Sequence, residues 1–203
     1  MPGFSSYCEY CAQAAPDDPN RAYHDLEYGF PILDDAGLFG RLVLEINQAG
    51  LSWITILRKR DAFFRAYDGF DVDTVAEYGE SDVARLLADS GIVRNRRKVA
   101  AAIENARRIV ALRPGYGSFR GWLDVYHPLT KDAWVKLFKR TFTFVGGEIV
   151  GEFLMSTGYL PGAHVAGCPA GERAIAAGAP WATKGGRAAS PGRTGPDIAK
   201  IGD

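Results

Sequence analysis

In the segment DAGLFGRLVLEINQA, residues 35 to 49, Leu38, Leu42, Glu45 and Ala49 recur at helical spacing, with Phe39, Val43 and Ile46 beside them. An apolar stripe of this period and width belongs to a helix packed into a core, and here a carboxylate is set into the stripe itself. Glu45 must then be hydrogen-bonded, paired with a cation, or shifted toward its neutral form, because leaving water penalises its charge. A carboxylate in that position is either a functional group or a member of a structural ion pair, and the periodicity leaves both open.

The same period recurs along the chain and no convincing alternating pattern interrupts it, so the expected fold is all-α. Ser52 is the expected cap of a second helix carrying Trp53, Ile56, Leu57, Phe64 and Tyr67. Ser81 is the expected cap of a third, SDVARLLADSG, with Gly91 as its left-handed stop, and RRKVAAAIENARRIVAL forms a fourth that Pro114 is expected to end. Further helices are expected in SFRGWLDVYH, TKDAWVKLFKR and GEIVGEFLMSTG. From Pro169 onward the composition turns to Ala, Gly and Pro, too poor in apolar surface to offset the entropy of ordering it. The expectation is one domain over residues 1–168 and a flexible tail over 169–203.

Charge and cysteine usage narrow the class. With 24 basic and 24 acidic residues, the chain as a whole has no net attraction for nucleic acid. No apolar run reaches bilayer length, and MPGFSSYCEY lacks the charged and apolar regions of a secretory signal, so a cytoplasmic protein with no membrane partner is expected. Thiols stay reduced there, so three cysteines are expected to serve as metal ligands or packing rather than as a disulfide framework.

Local patches can bind phosphate where the average cannot. LLADSGIVRNRRK reads as a helix, a Gly-containing turn, and a second helix with Arg94, Arg96, Arg97 and Lys98 around its start. Free backbone N–H groups and the positive end of the helix dipole favour an anion there, which would hold a DNA backbone without reading its sequence. An antiparallel helix pair with a basic connector is the ordinary alternative.

Six side chains are competent to bind a metal: Cys8, Cys11, His24, His127, His164 and Cys168. HVAGC sets His164 and Cys168 four residues apart, close enough to share an ion, but a tetrahedral site needs two more ligands. The pair Cys8 and Cys11 competes for those places with one cysteine plus His24.

Taken in order, AYHDLEYGFP, LVLEINQAGLSWITILRKR, LADSGIVRNRRKVAAAIENAR, FTFVGGEIVGEFLMSTG and HVAGC resemble the DNA-3-methyladenine glycosylase I family of the helix-hairpin-helix glycosylases, over about residues 7 to 168. The resemblance implies that fold and one structural zinc ion tying the two ends of the domain. By motif order its ligands would be Cys8, His24, His164 and Cys168, with Cys11 a bystander. It also implies a monomer that acts on alkylated double-stranded DNA. Glu45 would accept hydrogen bonds from a flipped base, Trp53 would stack on it, Tyr23 and Tyr28 would complete the wall, and Leu51 would fill the gap left in the duplex. Arg94, Arg96, Arg97 and Lys98 would hold phosphates. Tyr28 stands where the family commonly has Trp. No lysine falls in the matched pocket motifs, which implies hydrolysis to an abasic site. A zinc-stabilised module that binds lesions without cutting is the alternative of a different class.

Overall fold

The structure, a computed structural model, describes residues 3–183. Among them the regular elements are helical: α1 (Tyr7–Gln13), α2 (Pro19–Leu26), α3 (Asp35–Gln48), α4 (Trp53–Ala66), α5 (Val72–Ala76), α6 (Glu80–Ala88), α7 (Arg96–Tyr116), α8 (Phe119–Tyr126), α9 (Lys131–Thr141), α10 (Gly147–Ser156) and α11 (Pro169–Ala176), with short 3-10 turns at Asp68–Phe70 and Pro180–Ala182. No helix in this region is long and apolar enough to cross a membrane.

Helix α3 is the axis of the molecule. Its stripe of Leu38, Phe39, Leu42, Val43 and Ile46 is at most 1% exposed and is covered by α4, α7, α8 and α10. Stripping that much apolar surface from water is the main force organising the fold, at roughly 25 cal/mol per Å² buried. A second layer is aromatic: Phe119, Trp122, Phe138, Phe142 and Phe153 meet edge to face or offset, with ring centroids 5.2 to 6.0 Å apart. Asp34 caps α3 by accepting from the Gly37 amide at 2.7 Å, which fixes where the axis begins.

Four boundaries differ from the sequence expectation. Helix α6 starts at Glu80 with Gly79 as its cap, because Asp82 reaches back to the Gly79 amide at 3.2 Å; Ser81 lies inside the first turn. Gly91 is not left-handed: the chain turns at Asp89, whose carboxylate accepts from the Gly91 amide at 2.7 Å, and a Cβ on Gly91 would sit 2.9 Å from the Ala62 side chain. That glycine allows the hairpin to approach α4 closely. Helix α7 runs through Pro114 to Tyr116, since a proline so near the end removes only one helical N–H, and Gly117 at φ 79° is the actual stop.

The fourth difference is the domain end. The chain does not leave the fold at Cys168: α11 follows directly, with Ala170, Ala174 and Ala179 buried. A Cβ on Gly171 would come within 2.8 Å of the His164 side chain, so small residues are what permit this close seat. The Ala and Gly content that suggested disorder is the packing solution here. The Trp181 amide bonds to the Gly158 carbonyl at 2.9 Å, extending the order further. The remainder of the expected tail, residues 184–203, lies outside the described residues.

Candidate functional site

Glu45 projects from α3 into the interior and is only 4% exposed. The Ser156 hydroxyl on α10 donates to it at 3.5 Å. Burial pushes its carboxyl up to about 8; the Arg41 guanidinium one turn earlier opposes the rise, the charge of Glu152 adds to it, and the Ser156 hydrogen bond lowers it. Arg41, itself buried, donates to the Tyr23 hydroxyl and, at 3.3 Å, to Glu27, which also pairs with Arg60 at 2.6 Å. The cation therefore answers several acceptors at once and is not a dedicated partner for Glu45.

Aromatic rings gather beside this carboxylate. Tyr23, on α2, packs its ring 5.1 Å from Trp53 at the start of α4 and 5.5 Å from Tyr28 in the loop after α2. The Tyr28 hydroxyl donates to Glu152 on α10 at 3.2 Å. The Trp53 Nε1 is buried without a hydrogen-bond partner among the described residues, as is the Trp134 Nε1 in the core. The structure thus brings together Glu45, Tyr23, Tyr28 and Trp53. Sequence reasoning missed Arg41, Glu152 and Ser156. Arg41 sits four residues before Glu45 on the same helix and is open to detection by spacing; the other two come from a helix far along the chain, Ser156 being 111 residues from Glu45, for which spacing carries no signal.

The turn after α3 forms the corner of the surface. Gly50 takes φ 85°, a left-handed conformation that a side chain would resist, and Leu51 stands 41% exposed beyond it. Arg94, Arg96 and Arg97 are exposed around the start of α7. Lys98 departs from the expectation for this patch. Its side chain is buried, and Nζ donates to the carbonyls of Asn47 at 2.9 Å and Ala49 at 2.7 Å, closing off the C-terminal end of α3. An ammonium held this way is not presented with the arginines. Asn95 also takes part of the expected anion site, since its side chain already accepts from the amides of Arg97 and Lys98.

Close to Tyr28, the side chains of Cys8, His24, His164 and Cys168 place one ligand atom each within 4.8 Å of one another. Cys11 is not among them; its thiol donates to the Asn20 carbonyl at 3.6 Å. The separations test the set. Cys8 Sγ to His164 Nδ1 is 3.8 Å, His164 Nδ1 to His24 Nε2 is 3.2 Å, and Cys168 Sγ lies 3.6 Å from His24 Nε2 and 3.5 Å from His164 Nδ1. Sulfur and nitrogen ligands around a tetrahedral ion are separated by about 3.3 to 3.8 Å, so two cysteines and two histidines here fit a metal ion. The outer nitrogens fit too: His24 Nδ1 meets the Asp25 carboxylate at 2.8 Å, and His164 Nε2 donates to the Tyr28 carbonyl at 2.7 Å, the kind of support that fixes the tautomer of a ligating imidazole.

Comparison with known proteins gives a consistent picture. Residues 13–136 match the family model described as methyladenine glycosylase. The chain is 38% identical over 179 residues to DNA-3-methyladenine glycosylase 1 of Escherichia coli K12, covering 79% of this chain and 95% of that protein. The solved structure of 3-methyladenine DNA glycosylase I from Staphylococcus aureus superposes with a TM-score of 0.72 at 31% identity, covering 81% of this chain and 97% of that one. A variant of 3-methyladenine DNA glycosylase I in complex with 3-methyladenine superposes at 0.71, with 31% identity and coverage of 79% and 96%. With a family model spanning more than half of its length and a relative matched nearly end to end, the chain belongs to the methyladenine glycosylase family.

Proposed function

We propose that this protein excises 3-methyladenine from alkylated duplex DNA, in the pocket formed by Glu45, Tyr23, Tyr28 and Trp53. A base inside a duplex must be turned out of the stack to be cut from its sugar, at a cost of a few kcal/mol that is least for damaged bases. Methylation at N3 places positive charge on the ring and weakens the glycosidic bond, so the pocket has to recognise and hold the base more than force the reaction. A cationic ring suits this lining: electron-rich aromatic faces attract it, and it favours the ionised form of Glu45, which then accepts its N–H groups. The buried carboxylate beside clustered aromatic rings is the observation that carries this reading.

Leu51, exposed at the corner, is the wedge that occupies the vacated space in the duplex. Arg94, Arg96 and Arg97 hold the backbone. Water is the displacing group and an abasic site the product. One chain supplies every group in this scheme, so a monomer suffices. Cys8, His24, His164 and Cys168 would hold a zinc ion, and a site filled by four protein ligands would serve as a clamp between α1, α2 and the segment before α11 rather than in the reaction. Incubating methylated DNA with the protein and resolving the freed bases by chromatography tests the scheme. Release of 3-methyladenine by the wild type and its loss in a folded Glu45→Gln variant are expected; full release by that variant would remove Glu45 from the site.

A further inference from the structure

Glu152 has no part in the scheme above, yet it faces the same space. It stands one turn before Ser156 on α10, and Ser156 is the residue whose hydroxyl reaches Glu45. Residues four apart share a helix face, so α10 turns a carboxylate and a hydroxyl toward the pocket together. Tyr28 holds one oxygen, Oε2, at 3.2 Å; among the described residues Oε1 has no hydrogen-bond partner. Burial raises the Glu152 carboxyl, the Tyr28 hydrogen bond lowers it, and of the neighbouring charges Glu148 raises it while Lys131 lowers it. Lys131 lies nearer the surface, 3.9 Å from Glu148, whose side chain is 93% exposed, and Arg41 is engaged by Tyr23 and Glu27.

We infer that Glu152, held by the Tyr28 hydroxyl, is a second carboxylate directed at the base, and that with Glu45 it selects a flipped base by its positive charge. The inference rests on the pocket of Glu45 being the base site. Two carboxyl groups around one partly buried space cannot both ionise without repulsion, and the charge of Glu152 adds to the upward push that keeps the Glu45 carboxyl protonated at neutral pH. A ring bearing positive charge relieves it and is drawn by both groups. A neutral adenine of nearly the same outline relieves nothing, so it is disfavoured without any clash of shape. The preference comes from the reward to the cationic ligand alone, a difference of affinities between two isosteres. Tyr28, where the family commonly has Trp, supplies the hydroxyl that makes this second position possible.

The test uses the full-length protein with duplexes carrying 3-methyladenine, cationic in DNA, or its neutral isostere 3-methyl-3-deazaadenine. Glu152→Gln is expected to raise the enzyme concentration needed for half-maximal single-turnover excision of the cationic lesion on the order of tenfold, the effect of one charge a few ångströms away in a protein interior. Its affinity for the duplex with the neutral isostere should be unchanged. Tyr28→Phe, which keeps the ring and frees the carboxylate, is expected to show part of the same charge-selective loss. Equal losses on both duplexes would make Glu152 a structural side chain, and no loss on either would place it outside the recognition of the base. Glu45→Gln, run alongside, separates these outcomes from failure of the base site itself, since only a misplaced site leaves that variant fully active.

Discussion

Replacing Glu45 by Gln should make the protein more stable, and by an amount that depends on pH in a defined way. The folded chain raises the Glu45 carboxyl from its ordinary 4.5 to about 8, so the folded state binds this proton more tightly than the unfolded state does. A group shifted upward contributes its stability below the unfolded value and loses it as pH rises through the folded value. At pH 4.5 and below both states are protonated and the wild type suffers no penalty. Between pH 4.5 and 8 the wild type loses about 1.4 kcal/mol per pH unit relative to a neutral side chain, reaching a ceiling of about 5 kcal/mol above pH 8. Gln fills nearly the same volume and cannot ionise, so any constant cost from its altered hydrogen bond to Ser156 cancels when the two proteins are compared across pH. Urea unfolding of both at pH 5, 7 and 9 measures the difference directly. The gap should shift in favour of the variant by several kcal/mol between pH 5 and 9. Parallel stability curves over that range would mean that Glu45 is ionised in the folded protein at neutral pH, and that burial does not govern its charge.

Other outcomes follow from the remaining sites. Metal analysis should find about one zinc ion per chain, and Cys168→Ser or His164→Ala should abolish binding and lower the melting temperature, whereas Cys11→Ser should keep the metal, because its thiol faces Asn20. Replacing Arg96 and Arg97 together should weaken binding to all duplexes alike and make the slope of log affinity against log salt shallower by about two, as read by fluorescence anisotropy in a salt series. Lys98→Met should behave differently, costing about 1 to 3 kcal/mol of stability in denaturant by leaving two carbonyls unsatisfied. Leu51→Ala should slow single-turnover excision from duplex DNA while leaving affinity for undamaged duplex intact; an equal effect on both would make Leu51 an ordinary surface contact.

Much of this was legible in the sequence, for reasons that also explain the gaps. The α3 stripe is dictated by local periodicity, and a carboxylate inside it announces a buried charge whatever the partner is. The all-helical class follows from the same period repeated. The aromatic neighbours and the choice of Cys8 over Cys11 came from family resemblance, since nothing local says which of two cysteines on one short helix turns toward His164. Lys98 looked like its exposed neighbours because a charge run does not reveal which member bends inward to carbonyls 50 residues away in sequence. Alanine and glycine bury little surface each, so composition reads α11 as a tail; the value of these residues lies in how closely they let α11 seat against His164, a property of the partner surface.

The inward turn of Lys98 has a mechanical consequence. Its ammonium joins the start of α7, where the arginines lie, to the last carbonyls of α3, one step from Gly50 and Leu51. If the arginines grip the duplex and Leu51 probes it, as proposed, grip and probe are joined directly through the Lys98 hydrogen bonds.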